Sequence, residues 1–139
     1  MKRYLITTFA AAFLSSLICF SSEPFKGRFT SKDLNLKLEI NLYDESVEVP
    51  GMEMFGPLNG YIAGEGLYRT WYISKIRQIE GQKAIVHFSN DLGSETQPVE
   101  LTLINDSTLH FREIEGSVMK KAVGKKLVKI TSNFEMKRQ

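Results

Sequence analysis

Cysteine, histidine and tryptophan are scarce in this chain: its 139 residues hold one cysteine, two histidines and one tryptophan. A lone cysteine cannot close a disulfide within the chain. The two histidines, His87 and His110, stand at no spacing from aspartate or glutamate that resembles a metal site, and no His-Glu-x-x-His run occurs. Alternation puts His110 outside beside Arg112, as a solvated histidine, and turns His87 away from Val86 and Phe88, as a strand histidine with its ring satisfied. A Gly-x-Ser-x-Gly elbow is missing, and Gly64-Glu65-Gly66 lacks the further glycine and the helix of a phosphate loop. Asp44, Glu45, Glu48 and Glu53 do not have calcium-loop spacing and are read as exposed acids on a strand edge. Since no nucleophile, base and orienting group can be named together, the expectation is a non-catalytic protein without metal or cofactor. Long helical periodicity, internal repeats and low-complexity tracts are absent as well.

The one long apolar run stands at the N-terminus. Met1-Lys2-Arg3 is basic, Tyr4 to Phe20 is apolar apart from Thr7, Thr8, Ser15 and Ser16, and Ser21-Ser22-Glu23-Pro24 is small and then polar. That order reads as a secretory signal peptide over residues 1–21, cut after Ser21. The run is shorter than the ~20 residues of a membrane span. The expected location is therefore the periplasm or the exterior. The alternative is a lipoprotein acylated on Cys19 and held at the membrane, although Ser16-Leu17-Ile18 departs from a lipobox because Ile18 is not small. Removal of the signal takes Lys2 and Arg3 away, so 18 basic residues become 16 against 16 acidic ones. The remainder is charge-divided: Gly116 to Gln139 carries Lys120, Lys121, Lys125, Lys126, Lys129, Lys137 and Arg138 against Glu135 alone. These lysines are read first as solvated groups on a final edge strand, where they discourage edge pairing. Attraction to acidic envelope components is the second reading, and nucleic acid is not an expected partner.

What is present in abundance is strict alternation. From Leu34 to Leu42 every second residue is aliphatic, with Asn35, Lys37, Glu39 and Asn41 between them, which in a strand sends one set to a core and the other to water. Phe25 to Phe29 reads as a first strand, and Leu36 to Val49 as a hairpin turned at Asp44-Glu45 and stopped by Pro50-Gly51. Met52 to Pro57 reads as a loop, Leu58 to Ile62 as a strand, Leu67 to Ile79 as a long strand, and Ala84 to Phe88 as its return. A polar loop spans Asn90 to Gln97, with Pro98 opening the next strand. Val99, Leu101, Leu103, Leu109 and Phe111 face inward from two further strands. Val118 to Val123 is a helical turn or irregular strand, Lys125 to Thr131 the last strand, and residues 132–139 a polar tail with little to bury. Eight or nine short strands in ~118 residues suggest one domain over 22–131, an all-β meander closed into a small antiparallel barrel, with a sandwich as second choice.

Two groups of residues are candidates for function. Tyr61, Arg69, Trp71, Phe88 and Phe111 mix rings with a cation, as a barrel cavity holding a small apolar or amphipathic ligand requires; the competing reading is that the rings fill the barrel. Met52, Met54 and Phe55 either form an exposed patch for a protein partner or pack on one barrel end. Function is thus expected to be binding of a small ligand, or, alternatively, protein interaction in the cell envelope or inhibition of a secreted enzyme through loops 49–58 and 90–98.

With Gly27-Arg28-Phe29, the strand ladder and Leu127-Val128-Lys129 placed, the chain resembles the small bacterial lipocalin-like proteins of the calycin group. Those begin with a segment ending in Gly-x-Trp and continue as an antiparallel meander. Here phenylalanine stands in the tryptophan place, and the late arginine of that group finds no match along the sequence. The resemblance implies a binding barrel and names no ligand.

Overall fold

The computed structural model describes residues 22–139, so the expected signal peptide, the cut after Ser21 and Cys19 lie outside the described residues. The strands are β1 Lys26–Ser31, β2 Leu36–Asn41, β3 Gly60–Ala63, β4 Trp71–Glu80, β5 Lys83–Asn90, β6 Thr96–Asn105, β7 Thr108–Glu113, β8 Lys120–Val123, β9 Lys126–Lys129 and β10 Asn133–Arg138. Eight of them close one antiparallel barrel in the order β1-β10-β7-β6-β5-β4-β3-β2, and β8 with β9 form a separate two-stranded hairpin. The chain therefore meanders from β1 to β7, steps outside for the hairpin, and returns as β10 between β7 and β1. This is the all-β antiparallel barrel that alternation predicts.

The barrel strands send alternate residues inward. Leu36, Leu38 and Ile40 of β2 meet Ile62 of β3, Val86 and Phe88 of β5, Val99, Leu101 and Leu103 of β6, and Leu109 and Phe111 of β7 in one continuous core. Phe111 stacks on Phe134 with centroids 4.7 Å apart and lies 5.8 Å from Phe88 at a tilt of 42°. An eight-stranded barrel is just wide enough for side chains to fill, and these three rings occupy its middle.

The closing seam joins β10 to β1, with Phe29 opposite Arg138 and Thr30 opposite Lys137. The Arg138 guanidinium donates to the carbonyls of Asp106, Lys26 and Pro24 at 2.7, 2.8 and 3.0 Å, and its central carbon sits 4.6 Å over the Phe29 ring. This planar fork needs room: a Cβ on Gly27 would lie 2.5 Å from the guanidinium, and Gly27 has φ 147°, which a larger residue resists. Arg138 is thus packed on the aromatic residue of Gly27-Arg28-Phe29, 109 positions from Phe29 in sequence and next to it across the seam.

Several expectations need correction. Residues 132–139 are not a frayed tail: Phe134 and Met136 are buried, and β10 is paired on both sides. The hairpin over Leu36 to Val49 does not form, because β2 takes β3 as its second neighbour, with Leu38 opposite Ile62. Ser46 to Val49 runs into Pro50 and makes only the isolated bridge Val47 to Leu58. Asn41, expected in water, is buried; its amide donates to the Ser46 hydroxyl at 2.9 Å and its carbonyl accepts from the Tyr43 amide, which turns the chain out of the barrel. Asn35 belongs to a turn, with φ 51°. The long strand begins at Trp71 rather than Leu67, since Gly64 to Thr70 folds over the barrel end, Gly66 lying so close to the Leu34 carbonyl that no side chain fits. Lys125 to Thr131 is not the last barrel strand. Its β9 portion leaves the barrel, with Val128 exposed and only Ile130 buried.

Candidate functional site

One end of the barrel is built from the connections β3–β4, β5–β6 and β7–β10. Its closure depends on Gln97, which alternates in phase with Val99 and Leu101 and is 1% exposed. The Gln97 amide nitrogen donates to the carbonyls of Pro98, Ile114 and Gly116 at 2.8, 3.0 and 2.8 Å, and its oxygen accepts from the Val118 amide at 2.8 Å. A buried amide fully used in this way fixes the segment 114–118 across the barrel mouth. Met119 and Ile130, at the base of the β8–β9 hairpin, then plug that mouth and join the core. The Tyr68 amide donates to the Lys120 carbonyl at 2.7 Å, so hairpin and β3–β4 turn are held side by side.

Between these parts lies an open groove of about 220 Å³, lined by Tyr68, Arg69, Trp71, Leu92, Val118, Lys120 and Leu127, with Asn90, Ser94 and Glu95 on its polar side. Arg69 holds a left-handed backbone, φ 69°, a strained state for a side-chain-bearing residue that often accompanies a binding turn. Its guanidinium lies 5.3 Å over the Tyr68 ring and 3.4 Å from Asp91. Trp71 is buried and donates its indole N–H to the Tyr68 carbonyl at 3.3 Å. Asn90 and Ser94 satisfy one another, the Asn90 amide donating to the Ser94 hydroxyl at 2.9 Å. Lys120 enters no ion pair among the described residues. The wall thus mixes two rings and three aliphatic side chains with the polar Asn90, Ser94 and Glu95, and carries one cation shared with Asp91 and one in no ion pair.

Of the five residues expected to line a cavity, Arg69 and Trp71 come together here. Phe88 and Phe111 lie in the packed interior. Tyr61 faces the opposite side of the sheet, where it packs with Val47, Val49 and Met52 in a smaller cluster under the 42–59 excursion. Its hydroxyl is 3.4 Å from the Glu39 carboxylate and Lys37 lies 5.8 Å over its ring. The expected patch divides as well: Met52 is buried in that cluster, while Met54 and Phe55, on a single 3-10 turn, are 88% and 63% exposed.

Glu113 was legible and not singled out. It continues the inward phase of Leu109 and Phe111 and is 6% exposed, with neither carboxylate oxygen hydrogen-bonded. Burial pushes its pKa up, against the pull of the Ser117 side chain and the Lys129 charge. The signal for it is a carboxylate in an aliphatic phase. His87 Nε2 is buried and also without a hydrogen-bond partner among the described residues, where a satisfied ring is the expectation. His110 lies at the surface with a ring nitrogen 2.6 Å from the Asn133 side-chain oxygen. Among the described residues no group of three or more histidine, cysteine, aspartate or glutamate side chains is placed to hold a metal ion, and no helix is long and apolar enough to cross a membrane. No protein-family model, no curated protein and no solved structure matches this chain.

Proposed function

We propose that the protein is an exported binding protein that holds a small amphipathic ligand in the rim groove rather than inside the barrel. The observation that carries this reading is the juxtaposition of Trp71, Leu92 and Leu127 with the unshared ammonium of Lys120 and the strained Arg69. An apolar body would lie against the rings and aliphatic chains, and an anionic head would meet the two cations. Phe88, Phe111 and Phe134, packed ring on ring, leave the barrel centre to packing. Arg138, late in the chain and packed over Phe29 of the Gly-x-aromatic segment, supports the calycin-like reading of the barrel.

Trp71 is the sole tryptophan, so its emission reports the groove directly. Titration with dodecanoate is expected to shift that emission saturably, and Lys120→Glu to weaken binding about tenfold, the loss of one charge-assisted contact. An unchanged Trp71 signal across fatty acids of several lengths, in folded protein, would contradict the groove reading. It would favour the second reading, a protein-interaction module, for which the exposed Met54 and Phe55 form the contact surface.

A further inference from the structure

The β8–β9 hairpin is unlike the rest of the surface. From Gly116 to Asn133 the chain has no acidic residue and carries Lys120, Lys121, Lys125, Lys126 and Lys129. Pairing sets Lys120 directly opposite Lys129, and Lys121 opposite Val128, Ala122 opposite Leu127 and Val123 opposite Lys126. Like charges directly across a strand pair repel. The hairpin belongs to no larger sheet and is fastened at its base through Met119 and Ile130. Lys121, Lys125 and Lys126 make no ion pair or hydrogen bond with their ammonium groups among the described residues. Asp33 and Glu65 line a groove with Lys121, Ala122 and Val123, and Glu95 lines one with Lys120, while Lys125 and Lys126 at the hairpin tip line neither.

Between the lysines stand Val123, Leu127 and Val128, all exposed. Tyr68 and Leu92, on the same rim, are exposed too. Val118 to Thr131 contains no arginine, aromatic, asparagine or glutamine. Reading a nucleic acid calls for guanidinium forks or stacking rings, and a shaped acidic protein surface calls for directed hydrogen bonds. Lysines interleaved with aliphatic side chains suit a diffuse anionic plane with an apolar layer beneath it, where the lysine stems lie along the apolar boundary and their heads stay at the phosphates.

We propose that this hairpin docks the protein on an anionic lipid surface, with Val123 and Val128 entering the headgroup layer and Lys121, Lys125 and Lys126 at the lipid phosphates. None of these five residues lines the ligand groove, so the proposal stands apart from the binding reading above.

The test is sedimentation of the full protein, in the form its host leaves it, with vesicles of equal parts phosphatidylglycerol and phosphatidylcholine, against vesicles of phosphatidylcholine alone. Preference for the anionic vesicles, weakening with salt, is expected. Lys121→Gln, Lys125→Gln and Lys126→Gln together are expected to lower that partition about a hundredfold, close to fivefold for each lysine. Val123→Ser with Val128→Ser, which keep the charge, are expected to lower it as well. All five side chains are on the hairpin outside the barrel, and an unchanged thermal melt verifies that the variants fold. Equal binding to the two vesicle types, or binding indifferent to the lysine variants, would overturn the proposal. Retention on heparin with no vesicle binding would overturn it in favour of a non-lipid polyanion.

Discussion

A buried carboxylate sits at the end of β7, and its proton couples to the stability of the fold. Burial raises the pKa of Glu113 above its ordinary value of 4.5, so the folded state holds a proton there that the unfolded chain releases. The stability it contributes is complete below 4.5 and is lost as pH rises through the higher folded value, above which a buried charge opposes folding. Lys129 and Ser117 soften that cost and do not cancel it. Glu113→Gln is therefore expected to raise the melting temperature by a few degrees at neutral pH, about 1 kcal/mol, and to leave it unchanged in acid, where the native side chain is already neutral. Melting curves at both pH values check this; a gain that persists undiminished in acid would mean that charge burial is not the cause. Residue-level facing was readable along most of the alternating runs, Asn41 at the end of β2 excepted, and Glu113 follows from Leu109 and Phe111 by the same count. Gln97 was hidden for a different reason. Its burial depends on the chain from Ile114 to Val118, which reaches it from the far end of β7 and leaves no local trace.

Strands differ in how plainly their pairing was written. β2 declares itself through three inward aliphatics, whereas β10, equally long, has only Phe134 and Met136 inward among polar and charged neighbours. What makes β10 a barrel strand is the pair of free edges offered by β7 and β1, a property of the assembled sheet. The hairpin poses the inverse problem: β9 carries two adjacent aliphatic residues between lysines, yet the barrel has no edge left for it, and Leu127 and Val128 stay outside. The groove was half legible for the same reason. Arg69 and Trp71 are close in sequence, while Leu92, Lys120 and Leu127 join them only through closure. The seam can be weakened at one side chain. Arg138→Ala removes three hydrogen bonds and the cover over Phe29, and is expected to cost about 2–4 kcal/mol by urea denaturation. A loss below 1 kcal/mol would show that β10 is held by Phe134 and Met136 alone.

At the scale of the whole molecule the two barrel ends have separate characters. One carries the hairpin, the groove and most of the lysines of the C-terminal region; the other carries the 42–59 excursion with its own small cluster and the exposed Met54 and Phe55. Of the two loops of the interaction reading, 90–98 lines the groove and 49–58 lies at the opposite end, so the groove and the Met54–Phe55 surface can be tested without interfering. The barrel between them rests on non-local pairing, and its refolding, followed by Trp71 fluorescence, is expected in milliseconds to seconds; a microsecond phase completing the signal would contradict that.

Arg138 and the Lys26 carbonyl it holds are 112 positions apart. During synthesis β1 leaves the ribosome long before its partner exists, so a nascent chain carries one open sheet edge until β10 arrives. A short β1 with Lys26 and Arg28 on it is a poor template for a neighbouring chain, and these two cations guard the growing polypeptide against the wrong handshake.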